Sequence, residues 1–425
     1  MSTIHSCNIL PGVALTCVNS DKFKTGCMSV NIVTALKREK ASLSALFPRV
    51  LRRGTKDLPD MERLAAALDD MYGAYVEPIV RKKGELHCVG LYSDFPDDRY
   101  IPGEGDVMER VISLTGEMLL SPDTNDGYLR DDYIAGEKKN LIDDIRAAIN
   151  DKRGYAIDRL LEQMCADEIY GVNRLGSETE AEAITPETLT AHYRGTTEAS
   201  AIKIFYCGSA EPSRVEAALR ASLAGLPGRG GAKIPATDVV IEPRHSTPRL
   251  LTETLDVAQG KLTIGFRLGK AMQNPNYPAL SVFNAIYGGS VSSKLFLNVR
   301  EKLSLCYYAS SMMDKHKGIM VVSSGVDFSK FDMARDEILA QLENIKKGEI
   351  SDWEFQSAKR AVITAVKSAM DRPSGLEELY FDSSIAAVYI DPDELCGKIE
   401  AITPDDVVET ASEIKVDSIY TMHGE

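Results

Sequence analysis

The chain repeats one order of segments twice, and this repeat limits its fold more than any other feature of the sequence. The tetrapeptide at 183–186, Ala-Ile-Thr-Pro, recurs at 401–404, an offset of 218 residues. Segment 137–151 corresponds to 357–371 at an offset of 220, and both carry apolar residues at helical spacing. A Lys-Gly pair also precedes an apolar, strand-like run in each half. These matches predict a duplication of one structural unit.

The order of elements within each half indicates the α+β class. Alternating apolar residues at 28–32 and 262–268 predict the opening strand of each half. The remaining strands come as adjacent hairpin-like pairs and the helices come in groups, which favours a mainly antiparallel sheet packed with helices. We therefore expect an N-terminal half at 1–225 and a C-terminal half at 249–425, facing each other as a clamshell. The Gly/Pro-rich stretch at 226–248 is predicted to be the linker.

Composition and charge exclude several classes of partner. The net charge is −14, with no block of five or six like charges and no basic stripe, which argues against nucleic acid and anionic membranes as main partners. The first residues lack a basic region followed by an apolar run, and no 18-residue apolar segment is present. We therefore expect a cytoplasmic protein. The eight cysteines are scattered without a C-x-x-C pair, which predicts reduced thiols, and the histidine spacing argues against a zinc site made of local His pairs.

Two segments of the N-terminal half are distinguished by their residues and spacing. The segment at 45–55 reads Ala-Leu-Phe-Pro-Arg-Val-Leu-Arg-Arg-Gly-Thr and lies between a strand-like run and a predicted helix. Farther along, Glu137 is followed seven residues later by Asp144 on another predicted helix. Taken alone, Asp144 is most simply a surface acid.

One segment of the C-terminal half combines paired glycines and serines with a later Arg and Tyr. It begins with Gly288-Gly289-Ser-Val-Ser-Ser-Lys-Leu-Phe and continues to Arg300-Glu-Lys-Leu-Ser-Leu-Cys-Tyr307. Alone, the glycines and serines would be interpreted as a turn before a capped helix, and Arg300 as part of a solvated helix face. The spacing of seven requires the chain to leave the helix between Arg300 and Tyr307 so that Tyr307 can enter a strand.

Together these three segments resemble the insulinase/pitrilysin/mitochondrial-processing-peptidase family. There the first segment carries the inverted zinc motif H-x-x-E-H, and a later helix carries Glu-x6-Glu, whose second Glu is the third zinc ligand. The third segment is similar to the family's Gly-Gly-x-x-Ser-Ser-Arg-Leu-Phe and Arg-Glu-Lys-x-x-Leu-Ala-Tyr signature almost position for position. The resemblance spans the whole chain and identifies it as a bacterial non-catalytic member that lacks H-x-x-E-H.

The resemblance implies that the zinc site is lost. Ala45, Pro48 and Arg49 occupy the positions of the two His and the Glu, and Asp144 replaces the third ligand with a side chain one methylene shorter. A catalytic zinc needs about three protein ligands and an open water position. We therefore expect no metal, no cofactor, no catalytic residue and no peptide hydrolysis by the chain alone. The sequence contains no G-x-S-x-G, P-loop or dinucleotide fingerprint that would indicate another chemistry.

The resemblance also implies a function for the residues that remain. In the family, a matching Arg and Tyr hold substrate carbonyls, and some members divide the zinc motif and the Arg/Tyr pair between two subunits. Arg300, Tyr307, Gly288 and Gly289 are therefore expected to bind a peptide substrate in a heterodimer with a zinc-bearing paralogue. Maturation of elongation factor P is a context known for some bacterial pairs. The alternatives are a structural or peptide-holding protein without a role in hydrolysis, and a homodimer in isolation.

Overall fold

The computed structural model describes residues 3–103, 105–227 and 232–424. Positions 228–231 of the predicted linker therefore lie outside the described residues. The chain forms two compact units, each built from three stretches of sequence. Unit 1 comprises Met1–Arg146, Val172–Ala236 and Ala369–Ile385, and unit 2 comprises Ala147–Gly171, Thr237–Ser368 and Ala386–Glu425.

The described strands form one large sheet in each unit and a small hairpin. The strands are β1 Thr3–Leu10, β2 Val13–Asn19, β3 Thr25–Ala35, β4 Tyr75–Lys83, β5 Leu86–Pro96, β6 Thr124–Asn125, β7 Tyr128–Leu129, β8 Ala201–Gly208, β9 Arg249–Thr254, β10 Gly260–Arg267, β11 Cys306–Asp314, β12 Ile319–Val326 and β13 Lys415–His423.

The two large sheets have the same strand order. In unit 1 the order is β1-β2-β8-β3-β5-β4, and in unit 2 it is β9-β13-β10-β12-β11. Apart from β1, the strands correspond one to one, and in each sheet one pair is parallel, β2 with β8 and β9 with β13. The other pairs are antiparallel. The predicted duplication and the α+β class are confirmed, and the clamshell arrangement of the halves stays a prediction.

The helices follow in groups, as the sequence predicts. They are α1 Ala41–Leu51, α2 Met61–Asp69, α3 Val107–Leu120, α4 Asp131–Ala147, α5 Lys152–Met164, α6 Glu178–Glu182, α7 Pro186–Ala199, α8 Pro212–Ser222, α9 Tyr277–Tyr287, α10 Phe331–Lys346, α11 Asp352–Ala369, α12 Pro373–Ala386, α13 Pro392–Ala401 and α14 Pro404–Ser412. A π-helix spans Leu295–Lys302, and single 3₁₀ turns lie at Arg38–Lys40, Asp98–Tyr100, Ala148–Asn150, Ile169–Gly171 and Phe328–Lys330. Among the described residues, no helix combines the length and apolar character needed to cross a membrane.

The repeated Ala-Ile-Thr-Pro segments begin corresponding helices. Thr185 caps α7 and Thr403 caps α14, and in both cases the following proline is the first helical residue. Each Thr side chain accepts the backbone N–H three residues later, and that later side chain accepts the Thr N–H in return. The start signal predicted from Thr-Pro is therefore the same in both halves.

Each compact unit contains one helix that the sequence repeat assigns to the other half. Helix α5 packs on β10, β12 and β13 of unit 2, where Leu160 and Met164 lie in a cluster with Tyr420. Gly265 on β10 permits this contact, because a Cβ there would lie 2.5 Å from the Met164 sulfur. In unit 1, residues of α12 pack on the sheet in the same way, beside Phe205 and Cys88.

The exchange follows from the burial of the sheets. Strand β12 is buried at every position and β3 at eight consecutive positions, so both faces of each sheet need a cover. The half's own helices cover one face, and the exchanged helix covers the other. The compact units therefore do not coincide with the sequence halves 1–225 and 249–425.

Buried ion pairs accompany both exchanged segments. In unit 2 the fully buried Arg267 contacts Glu168 at 2.6 Å and Asp417 at 2.7 Å, and Lys317 contacts Glu168 at 2.8 Å. In unit 1 the buried Glu377 of α12 accepts from Arg81 at 2.8 Å. Because a buried charge without a partner is costly, these pairs specify where each exchanged segment docks.

Candidate functional site

The positions at which the resemblance places the zinc motif lie on one largely buried helix of unit 1. Helix α1 carries Ala45, Pro48 and Arg49; the first two are buried, and the Arg49 side chain is 18% exposed. Proline inside a helix supplies no N–H to the preceding turn and no group that could accept a proton. The helix thus presents an apolar surface and one cation where the resemblance places two ligands and a base.

Arg49 and Asp144 form an ion pair between α1 and α4. The Arg49 Nη1 donates to Asp144 Oδ2 at 2.7 Å. These two residues stand where the resemblance places the second His and the third carboxylate ligand. A guanidinium has no lone pair for a metal, and it directly neutralises the carboxylate that could have helped to hold one.

A second ion pair joins the same two helical regions. Arg53, just after α1, donates to Glu137 of α4 at 3.1 Å, and the Glu137 side chain is only 13% exposed. The Arg53 guanidinium also lies over the Tyr133 ring, 5.5 Å from its centroid. The sequence prediction did not include Arg53. The available signal is that Arg53 lies four residues after Arg49, so an ion pair between positions 49 and 144 suggests a second one between positions 53 and 137.

A histidine lies beside α1 without replacing the lost ligands. The Nε2 of His192 is 2.9 Å from Ser44 Oγ, and its ring packs edge-on against Phe47. Burial lowers the pKa of His192 to about 4, so the ring is neutral at pH 7. Among the described residues, no three side chains of His, Cys, Asp or Glu converge around α1.

Gly288 and Gly289 follow the end of α9 in unit 2, and Gly288 lies against β11. The Gly288 carbonyl accepts the Ser311 N–H at 3.0 Å, and a Cβ at Gly288 would lie 2.7 Å from that nitrogen. The Gly289 N–H donates to the Asn284 carbonyl at 2.7 Å. Both glycines therefore have a packing reason for lacking a side chain, and their contact with substrate stays a prediction.

Lys294 occupies the position at which the resembling signature has Arg. Its ammonium lies 2.8 Å from Glu354 Oε1, and both side chains are largely buried, 7% and 14% exposed. Burial alone would raise the pKa of Glu354, but hydrogen bonds from Lys294 and Ser351 hold it below its ordinary value. Lys294 therefore ties the segment to α11.

Arg300 lies on the π-helix with its side chain 41% exposed. Its guanidinium stacks over the Phe296 ring, 4.8 Å from the centroid, and lies 3.5 Å from Glu301. Burial raises the pKa of Cys306, and the positive charge of Arg300 opposes that rise, so Arg300 lies near the residue that precedes Tyr307. π-helical turns are rare and are frequent at functional sites.

Tyr307 lies at a β-bulge at the start of β11. The helix ends at Lys302, Ser304 adopts a φ of 48°, and the strand begins at Cys306, as the spacing requires. The register shifts between Cys306 and Tyr308, so Tyr307 is the extra residue of the strand. Its side chain is 59% exposed, and its hydroxyl donates to Asp327 Oδ1 at 3.0 Å, which raises its pKa.

Comparison with known proteins decides the family. Residues 183–362 match the family model described as the peptidase M16 inactive domain. The chain is 30% identical over 417 residues to the probable inactive metalloprotease YmfF of Bacillus subtilis (strain 168), covering 97% of this chain and 96% of that protein. The chain belongs to the peptidase M16 family. Within M16, the match to the inactive domain and the likeness to YmfF support a non-catalytic homologue.

Solved structures have the same M16 fold. A conserved protein from Enterococcus faecalis V583 superposes with a TM-score of 0.89 at 26% identity, covering 99% of each chain. A peptidase M16 inactive domain from Pseudomonas fluorescens superposes with a TM-score of 0.80, covering 100% of this chain and 98% of that one. Its 14% identity is evidence for the fold alone.

Proposed function

We propose that this M16 chain is the non-catalytic subunit of a heterodimeric zinc peptidase. In this role it contributes Arg300 and Tyr307 to the substrate of a zinc-bearing paralogue, while Gly288 and Gly289 shape the loop beside them. The observation that carries the proposal is the exposure of both side chains on irregular backbone, a π-helix and a β-bulge. Such irregular backbone is maintained where a side chain must be aimed.

The guanidinium of Arg300 suits a peptide carbonyl. Its present contacts are a ring face and a carboxylate at 3.5 Å, which leave its N–H groups able to reach an incoming oxygen. A charged donor aimed at an oxygen that becomes more negative during hydrolysis stabilises the transition state more than the ground state. Arg300 therefore has a use in a shared active site that a scaffold would lack.

The phenol of Tyr307 supplies a second donor. Its hydroxyl hydrogen already points to Asp327, and the raised pKa keeps the phenol protonated. A substrate oxygen can replace Asp327 as the acceptor without a change in the backbone. Two donors of different length, from a helix and a strand, would fix the orientation of one peptide segment.

The second candidate is a structural or peptide-holding protein. It is favoured by the ion pairs Arg49–Asp144 and Arg53–Glu137, which consolidate the former site instead of leaving it open. A homodimer in isolation and a link to elongation factor P maturation both belong to the proposal and are tested with it. A cytoplasmic location remains the expectation from the sequence.

Mixing the chain with a zinc-bearing M16 paralogue from the same genome tests the proposal. Hydrolysis of a peptide library is measured for each protein alone and for the mixture, and association is measured by light scattering after gel filtration. Activity in the mixture only is expected. The Arg300→Ala, Tyr307→Phe double variant should lower kcat/KM by about 10²–10³ with association unchanged.

A matched control separates the shared site from surface effects. Arg335, whose side chain is 29% exposed, and the exposed Tyr389 belong to the same unit, so Arg335→Ala with Tyr389→Phe should leave the rate of the mixture unchanged. If the Arg300/Tyr307 variant also leaves the rate unchanged while the subunits still associate, the chain is a scaffold. If the mixture is inactive with every available paralogue, the peptide-holding alternative replaces the proposal.

A further inference from the structure

Three metal-binding side chains converge at the outer edge of the unit 1 sheet, away from α1. His5 and Cys7 lie on β1, the edge strand, and Glu216 lies on α8. The candidate ligand atoms of all three residues lie within 4.8 Å of one another, and His5 Nε2 is 3.8 Å from Glu216 Oε2. An imidazole, a thiol and a carboxylate are the three side-chain types that zinc accepts in proteins.

The strand geometry explains why the two β1 residues point the same way. Side chains two residues apart in a regular strand share a face, so His5 and Cys7 project toward the same side. Ile9 is fully buried in the core beneath α8, Cys7 is half-buried, and His5 is exposed at the rim. Side-chain burial therefore decreases from Ile9 through Cys7 to His5. Because the site is open to solvent at His5, water has room to be the fourth ligand.

A neighbouring arginine orients the carboxylate. Arg220, one turn after Glu216 on α8, donates to Glu216 Oε1 through Nε at 2.9 Å and through Nη2 at 2.7 Å. The same guanidinium donates to the carbonyls of Asn8 and Ile9, which fixes α8 against β1. With Oε1 bonded to Arg220, Oε2 faces His5 at 3.8 Å and is the carboxylate oxygen that a cation would take. Such outer contacts orient carboxylate ligands in known metal sites.

The thiol of Cys7 differs from every other thiol of the chain. All eight cysteines are unpaired, and seven of them are buried, whereas Cys7 is the one that solvent reaches. We propose that His5, Cys7 and Glu216 form a zinc site that joins β1 to α8, with water as the fourth ligand. On binding, the Cys7 sulfur forms a bond to the metal and its proton passes to solvent, and no oxidant or reductant is required.

This site is independent of the peptidase proposal. The sequence predicts no metal because the H-x-x-E-H positions are lost and no local His pairs exist. Those two sequence arguments do not detect a metal site that consists of a His-x-Cys pair on a strand and a glutamate on a distant helix. The metal would stabilise the edge of the sheet, since it closes a link between the first strand and a later helix.

Metal titration of the full chain tests the proposal. The purified protein is stripped with a chelator and titrated with Zn²⁺ by calorimetry, and with Co²⁺ by absorption. We expect one equivalent of metal, a thiolate-to-cobalt band in the near ultraviolet, and a rise in Tm on adding Zn²⁺. Cys7→Ser, Glu216→Gln and the exposed His5→Ala should each weaken Zn²⁺ binding at least about tenfold and remove the rise in Tm.

Two control variants locate the metal. His245→Ala removes another exposed histidine, and Asp144→Ala removes the carboxylate of the lost M16 site; both should bind Zn²⁺ like the unmodified chain. The proposal is overturned if the chain takes up no stoichiometric Zn²⁺, or if Cys7→Ser binds it equally well. Loss of binding in Asp144→Ala alone would place the metal between α1 and α4 and would also overturn it.

Discussion

Arg49 donates a hydrogen bond to Asp144 at 2.7 Å, and this ion pair joins two positions at which the family resemblance places zinc ligands. In M16 peptidases with an intact motif, the resemblance places zinc ligands at both positions. Here α1 and α4 are joined by a cation that is part of the chain. The helices therefore need no bound ion to offset the negative charge of α4 at this point.

The Arg49–Asp144 pair should contribute little to stability. The Asp144 side chain is 56% exposed, so solvent screens the attraction, and Asp144→Ala should change the free energy of unfolding by less than about 1 kcal/mol. Urea denaturation measures this change, and peptide hydrolysis by the variant should stay at background. A decrease of several kcal/mol in the free energy of unfolding would mean that this ion pair stabilises the fold as a bound metal would.

The buried Arg267 should be far more important for stability. Replacing it with Met leaves Asp417 and part of Glu168 buried without a cation, which is expected to cost about 3–5 kcal/mol. Arg335→Met is the matched control, since its partners Asp332 and Asp336 are exposed, and it should cost less than about 1 kcal/mol. Equal effects of the two substitutions in urea denaturation would contradict the structural role of the buried network.

Two buried histidines should make the fold sensitive to mild acid. Burial lowers the pKa of His87 and of His192 from 6.5 to about 4, so both rings are neutral when folded. Below pH 6.5 the unfolded chain binds protons that the folded chain does not, so stability falls as the pH drops toward 4. Each histidine should account for up to about 2 kcal/mol between pH 7 and pH 5.

Non-titrating variants check this pH dependence. His87→Asn and His192→Gln keep hydrogen-bonding groups near the original ring nitrogens, and together they should flatten the stability profile between pH 7 and pH 5. The exposed His245→Ala should leave the profile unchanged. If the double variant loses stability as steeply as the unmodified chain, the acid sensitivity arises from other groups.

Gly288 should not tolerate even a methyl group. In Gly288→Ala the new Cβ would meet Leu295, Ser311 N and Ser311 Oγ at 2.7–2.8 Å, so the substitution should cost about 1–3 kcal/mol. Gly397→Ala on α13 is the control, because nothing lies within 4 Å of its Cβ and alanine is the better helix former. In thermal unfolding, Gly288→Ala should lower the Tm and Gly397→Ala should raise it. An unchanged Tm for Gly288→Ala would make substrate contact the better reason for this glycine.

The sequence by itself determined the local elements and the family signature. Alternation of apolar residues placed β3 and β10, the Thr-Pro pairs placed the starts of α7 and α14, and the repeat implied one related sheet in each half. Local periodicity carries this information because a strand or helix presents its own pattern of side chains. The sequence also shows that Ala45, Pro48 and Arg49 offer no zinc-binding atom, since ligand chemistry belongs to the side chain itself.

The tertiary structure decided which residues meet. The partners Arg49 and Asp144, the cluster of His5, Cys7 and Glu216, and the exchange of α5 and α12 all join segments far apart in the chain. Periodicity shows that a helix has an apolar face but not which sheet that face covers. That choice depends on the two buried faces of each sheet and on the charges that must be paired there.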